Sequence, residues 1–177
     1  VLKQLLPQSS DNSTSRSRFV NEAQITGQLQ HPNIVPVYSM DWDHQDLPYY
    51  TMRYIRGETY SKRIRTFHEH QPLNFRSPEF LQILEEFIFI CNAVSYAHSR
   101  NIIHCDLKPE NVGIGQFGEV TVLDWGLASE FDADAEIDIS NVDNISGTPN
   151  YLSPEQAAGQ SHCLLPSSDI YSLGAIL

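Results

Sequence analysis

The sequence predicts an α+β fold in two lobes: a small β-sheet-plus-helix lobe over residues 1–55 and a larger, mainly helical lobe over 56–177. Three observations predict it. Apolar, β-branched or aromatic runs at Val1–Leu6, Ile34–Met40 and Tyr49–Tyr54 flank one helical pattern, Arg18–Gln30, as in a small sheet with one helix against it. A long apolar-periodic stretch then begins at Ser77. After it, the polar octapeptide His104–Asn111 leads into two short strands joined by a glycine-rich turn.

The elements follow in order. Val1-Leu2-Lys3-Gln4-Leu5-Leu6 alternates as a strand does, and Lys3 on it would by default be a surface lysine. Pro7–Ser17, rich in Ser and Asn, reads as a flexible loop. In Arg18–Gln30 the residues Phe19, Val20, Ala23 and Gly27 share one face and Ile25 and Leu29 another, with Glu22 by default an exposed helical acid. His31-Pro32-Asn33 ends the helix. The two strands that follow are joined by a polar loop containing Asp41, Asp43 and Asp46, and Ile55-Arg56-Gly57 leads away from them.

Ser77-Pro78-Glu79 is a strong helix start: a capping hydroxyl, a proline in the first turn and an acid placed well against the helix dipole. Leu81, Leu84, Ile88, Cys91, Val94 and His98 recur every three or four residues and predict the buried face. Val112-Gly113-Ile114, the turn Gly115–Glu119 and Val120–Leu123 read as a hairpin that delivers Asp124 close to Asp106. Glu130–Asp143 holds six acids in fourteen residues without a Lys or Arg, the pattern of a solvated loop. Ile170–Leu177 reads as a helix under way where the sequence stops.

Composition sets bounds. The 177 residues suit one domain with a real core, and 22 acids against 11 bases, a net charge of −11, argue against a nucleic-acid partner or an anionic membrane surface. Cys91, Cys105 and Cys163 are odd in number and lack C-x-x-C spacing, so reduced thiols in a cytoplasmic setting are expected. No signal peptide or membrane span is read, although an anchor elsewhere in a larger protein is compatible with this. The spacing of His98 and His104 suits no common zinc pattern, and His68 and His70 read as solvated.

The chemistry concentrates in His104-Cys105-Asp106-Leu107-Lys108-Pro109-Glu110-Asn111, where Pro109 disfavours helical geometry at Lys108 and so supports a loop. Asp106, Asn111 and, 18 positions beyond the first, Asp124 can share one site and present hard oxygen ligands beside a base. A solvated turn is the plain alternative. With Asp124-Trp125-Gly126 the chain resembles the eukaryotic-like protein kinases, whose patterns at these places are H-R-D-L-x-x-x-N and D-F-G. Gly147-Thr148-Pro149-Asn150-Tyr151-Leu152-Ser153-Pro154-Glu155 resembles their substrate-contacting loop and A-P-E signature, with serine for alanine, and Ser168–Gly174 resembles the start of their anchoring helix. The resemblance spans the whole chain, and Phe19–Tyr38 and Gly147–Glu155 are most similar to bacterial serine/threonine kinases of this type.

The resemblance implies roles. Asp106 would serve as catalytic base toward a Ser or Thr hydroxyl of a protein substrate, and Lys108 would stabilise the transferring phosphoryl group. Asn111 and Asp124 would hold Mg²⁺. Lys3, braced by Glu22, would position the phosphates of ATP, while Met52 would guard the back of the adenine pocket and Arg53, Tyr54 and Ile55 would offer backbone groups to the base. A plain core methionine fits Met52 equally well. Thr148 would shape the substrate side, and Glu155 and Asp169 would be structural acids.

The resemblance also implies a domain incomplete at both ends. No glycine-rich phosphate-covering loop precedes Lys3, so the 177 residues alone are expected to transfer phosphate poorly. Oligomeric state is not legible. Two other readings carry weight: a pseudokinase or truncated interaction module, against which the retained Lys3, Glu22, Asp106, Asn111 and Asp124 argue, and an aminoglycoside-type phosphotransferase, against which Gly147–Glu155 argues. Cys105 departs from the family's arginine, which pairs with a phosphorylated residue of the activation segment, and a cysteine cannot make that charge-assisted contact. Activity is therefore expected not to depend on that phosphate, with the acidic run setting the segment's resting position. Replacing Ser140, Ser146 and Thr148 one at a time and comparing activity tests this, and a large phosphate-dependent loss at Ser140 or Ser146 would count against it. Cys105 beside His104 also spells a Cys/His nucleophile pair, but adjacent residues rarely present both groups to one substrate.

Overall fold

Alternating apolar residues and one proline set the first sheet. In the computed structural model, which describes residues 1–6, 13–69, 74–131, 147–160 and 164–177, strands β1 (Leu2–Gln4), β2 (Val37–Trp42) and β3 (Pro48–Met52) form an antiparallel sheet in the order β1-β3-β2. Lys3 pairs with Tyr50 across it. The second strand starts later than the expected Ile34 because Pro36 has no N–H to give a ladder. Ile34 and Val35 reach the other lobe instead: Ile34 bridges Val122, and the Val35 N–H donates to the Val122 carbonyl at 3.1 Å.

Helix α1 (Ser13–Gln28) lies against this sheet and begins five residues before the expected Arg18, taking in the end of the stretch read as flexible loop. That stretch contains no Gly or Pro after Ser13, and Arg16 pairs with Asp46 of the β2–β3 loop at 2.6 Å, so tertiary contact outweighs its weak helix propensity. Phe19 and Ala23 pack with Leu5 and Tyr50 in a small core, and Ile25 and Leu29 face the larger core, as their spacing predicts. Gly27 is exposed, contrary to its expected place on the Phe19 face.

Three elements that sequence reading did not find follow or frame the larger lobe. Strand β4 (Gly57–Thr59) runs straight into helix α2 (Tyr60–Glu69), and the short strand β5 (Ile102–Ile103) pairs with a later one. Helix α3 (Pro78–His98) starts as expected, with the Phe80 N–H donating to the Ser77 hydroxyl at 3.2 Å. Its buried face is Ile83, Glu86, Ile90, Ala93, Val94 and Ala97; of the expected face Val94 is buried and Cys91 packs partly buried against the core, while Leu81 and Ile88 are exposed. The helix is apolar nearly all round, and periodicity alone could not choose among its faces. By length and composition α3 could also cross a membrane; here it packs against β5 and against β7 (Val120–Val122), the second strand of a hairpin whose first is β6 (Val112–Gly115).

The hairpin β6–β7 forms as read and extends to a sheet in the order β4-β6-β7. Gly57 faces Gly115 in that register, and a Cβ on Gly57 would sit 1.9 Å from the Ile114 carbonyl oxygen. Gly57→Ala must therefore part β4 from β6. A loss of about 2–3 kcal/mol is expected, seen as a thermal midpoint lower by roughly 5–10 °C. An unchanged midpoint would show that the two strands can separate freely.

Strand β8 (Ser129–Glu130) pairs with β5, and the helices α4 (Pro154–Ala157) and α5 (Pro166–Ile176) complete the described chain. One apolar core, including Ile25, Ile34 and Val35 from the first lobe and Ile90, Leu107, Val112, Val122 and Trp125 from the second, joins the two. Residues 7–12 of the expected loop, His70, Cys163, and the acidic run from 132 to 143 with Ser140, together with Ser146, lie outside the described residues.

Candidate active site

The loop from His104 to Asn111 is pinned from beneath. Asp169, 1% exposed at the start of α5, accepts the backbone N–H of His104 at 2.9 Å on Oδ2 and that of Cys105 at 3.0 Å on Oδ1. His98, at the end of α3, adds its Nε2 to the same carboxylate at 2.8 Å. These bonds hold Cys105 at φ 66°, a left-handed backbone that non-glycine residues seldom adopt. His104 is fully buried. Its Nε2 donates to the Leu123 carbonyl at 3.1 Å and its Nδ1 accepts from the Asp106 N–H at 3.3 Å, which sets the ring tautomer and ties the loop to the strand before Asp124. The Trp125 indole packs on that ring at 4.6 Å.

On this footing the polar side chains converge. Lys108 Nζ lies 2.6 Å from Asp106 Oδ2 and 2.7 Å from Thr148 Oγ1, and the Thr148 hydroxyl donates to Asp106 Oδ1 at 2.9 Å. Asn111 Nδ2 donates to the Asp106 carbonyl at 3.0 Å and to Oδ2 at 3.2 Å, which leaves the amide oxygen of Asn111 for another partner. Gly147 admits the Thr148 segment this close: at φ 119°, a Cβ there would meet Leu152 at 2.5 Å.

Across the cleft, Lys3 Nζ is 2.5 Å from Glu22 Oε1 and 3.1 Å from Asp124 Oδ1. Burial disfavours the ammonium, but the two carboxylates outweigh it and hold the Lys3 pKa above its usual value. Lys3, Glu22, Val35, Met52, Asn111 and Asp124 are among the residues lining one cavity of about 280 Å³. Tyr54 and Ile55 do not line it: Tyr54 is 66% exposed and Ile55 packs against Gly113. Of the three expected backbone positions, Arg53 has its N–H already engaged by the Pro36 carbonyl at 3.2 Å. Asn111 and Asp124 offer an amide oxygen and a carboxylate on one wall, a donor set that suits a hard divalent cation with phosphate oxygens completing its shell. Among the described residues no group of three or more His, Cys, Asp or Glu could hold a metal by itself.

Glu155 and Cys105 lie outside the residues that line the cavity. Glu155 accepts the Ser168 hydroxyl, and although burial opposes ionisation, that bond and those from its own backbone and Ser153 hold its carboxyl below the usual range. Burial, with Asp169 and Asp106 nearby, pushes the Cys105 thiol up to about 12, so it is a neutral thiol and not a nucleophile. Cys91 and Cys105 are both free.

Two residues escaped the sequence reading. Gln156 Nε2 donates to the Cys105 carbonyl at 2.6 Å and ties the segment after Thr148 to the back of the loop. The hydroxyl of Tyr50 donates to Glu22 Oε1 at 2.8 Å. No motif marks Gln156. For Tyr50, a polar-tipped aromatic amid a strand that pairs with Lys3 was the available signal.

A family model described as protein kinase domain matches residues 1–177. A protein named serine/threonine-protein kinase PknD from Protochlamydia amoebophila is 40% identical over 180 residues, covering 92% of this chain and 18% of that protein. Proteins of the same name from Chlamydia abortus and Chlamydia pneumoniae are 38% and 36% identical, each covering 100% of this chain and 20% of the relative. The chain thus spans about a fifth of the length of the curated relatives it matches.

Proposed function

The chain belongs to the protein kinase domain family, and on that premise we propose that its protein transfers the γ-phosphate of ATP to Ser and Thr hydroxyls of protein substrates in the cytoplasm. The observation that carries this reading is the contact of Asp106, Lys108 and Thr148 at one edge of a cavity lined by Lys3, Asn111 and Asp124.

Asp106 orients the substrate hydroxyl and accepts its proton as the substrate oxygen bonds to the γ-phosphorus and the bond from that phosphorus to the β–γ bridging oxygen breaks. Lys108, now held by Asp106 and Thr148, neutralises charge on the transferring group. Lys3 contacts the α- and β-phosphates, with Glu22 fixing its ammonium. Asn111 and Asp124 would hold Mg²⁺, which supplies charge neutralisation at the phosphates. Met52 closes the cavity behind the adenine. The Thr148 hydroxyl, bonded to both Asp106 and Lys108, favours a Ser or Thr side chain as acceptor. Residues 1–55 and 56–177 act as the two lobes.

The test is transfer of labelled γ-phosphate from Mg-ATP to a general Ser/Thr protein substrate by the full protein, beside its Asp106→Asn variant. Transfer that the substitution abolishes is expected. Binding of Mg-ATP with no transfer by the unsubstituted protein would favour a pseudokinase, and transfer to aminoglycosides alone would favour a small-molecule phosphotransferase.

A further inference from the structure

Lys3 and Tyr50 are cross-strand partners on β1 and β3, so their side chains rise from the same face of the sheet. The Lys3 ammonium lies 5.8 Å from the centroid of the Tyr50 ring. Tyr50 reaches past it to Glu22, and its hydroxyl meets the carboxylate oxygen that also binds Lys3. Phe19, one turn earlier on α1, packs on the same ring at 5.3 Å, and Leu5 and Ala23 complete the enclosure. Tyr50 is 3% exposed and Glu22 5% exposed. One side chain therefore joins β1, β3 and α1.

Few polar groups in the small lobe are buried, and a buried carboxylate needs donors. Glu22 has two, Lys3 and Tyr50. Lys3 must turn toward phosphate when a nucleotide binds, and then shares its three N–H groups between ligand and Glu22. Among the described residues the Tyr50 hydroxyl donates to Glu22 alone. Burial and the neighbouring Glu22 charge raise its pKa far beyond neutrality, so it remains a donor at any working pH.

We infer that Tyr50 is a positioning residue of the nucleotide site: its hydroxyl holds Glu22, and through Glu22 the Lys3 ammonium, in place whether or not nucleotide is bound. Docking of α1 is then built into the small lobe, through Phe19 and Glu22 on one helical face gripping a single tyrosine. The inference rests on the reading of Lys3 as the phosphate-binding lysine.

Tyr50→Phe removes the hydroxyl and keeps the ring against Phe19. The full protein is compared as wild type, Lys3→Ala, Glu22→Gln, Tyr50→Phe and the Tyr50→Phe/Glu22→Gln double variant, by steady-state kinetics and thermal midpoint. Loss of one hydrogen bond to a charged group should lower kcat/KM for ATP roughly three- to tenfold and leave KM for the protein substrate unchanged. In the Glu22→Gln background the same substitution should cost less than about twofold, because the two residues act as one unit. A tyrosine that merely stabilised the lobe would add its loss in full to that of Glu22→Gln, and that outcome overturns the inference, as does an unchanged kcat/KM for ATP in Tyr50→Phe. If Lys3→Ala leaves ATP use intact, the phosphate-binding reading of the cleft falls first and the inference with it.

Discussion

Asp106→Asn is expected to lower kcat by about 10²–10⁴-fold while leaving KM for ATP near its wild-type value. Asparagine matches the shape of aspartate, so Thr148 can keep a partner at the carbonyl oxygen. It cannot take a proton from a hydroxyl at neutral pH. It also turns an N–H₂ toward Lys108 or Asn111, both of which donate to Oδ2 in the native site. Lys108 then keeps the Thr148 hydroxyl as its acceptor. The pair is 11–21% exposed, so water makes good part of that loss, and stability should fall by only about 1 kcal/mol. Steady-state kinetics and a melting curve on the same preparation separate the two effects. A variant that retains kcat would show that the proton is accepted elsewhere; one that fails to fold would show Asp106 to be chiefly structural.

What the sequence disclosed and what it hid divide along a physical line. Asp106, Lys108, Asn111 and Asp124 were legible because a loop, a proline and a tight hairpin fix their separation within a short span, and Lys3 and Glu22 because a strand and a helix carry them at a spacing that resembles the family's. The structure brings these six residues to one cleft. The residues that support them were hidden because long-range contact sets their roles. Tyr50 is 28 positions from Glu22, and Gln156 is 51 from Cys105. Neither contact leaves a local trace. Helix α3 shows a second kind of limit: with Leu81, Ile83, Leu84, Phe87, Ile88, Phe89 and Ile90 crowded together, several faces fit one periodicity, and packing against β5 and β7 chooses the one that the pattern did not favour. The adenine-edge expectation was limited differently. The resemblance implied that Arg53, Tyr54 and Ile55 offer backbone groups there, but tertiary pairing decides which backbone groups stay available: the Arg53 N–H is taken by the Pro36 carbonyl, and Tyr54 and Ile55 do not line the cavity.

The anchoring acid should show the largest effect on stability. Asp169→Ala removes the acceptor for two buried backbone N–H groups, those of His104 and Cys105, and the partner of His98 Nε2. Each orphaned buried donor costs about 1–3 kcal/mol, so a total of roughly 3–5 kcal/mol is expected, equivalent to a thermal midpoint lower by about 10 °C or more for a domain of this size. Loss of the anchor has a further consequence at Cys105. Its left-handed backbone is strained by about 1 kcal/mol, and without Asp169 the residue is free to relax, which rotates the peptide that precedes Asp106. Activity should therefore fall more than the folded fraction does, a difference visible when kcat is measured well below the midpoint. Asp169→Asn sharpens the test. Its carbonyl can still accept one N–H, but its N–H₂ faces the other, donor against donor, so it should recover less than half of the lost stability. Recovery to the wild-type midpoint by asparagine would mean that packing at the start of α5, and not the carboxylate, holds the loop.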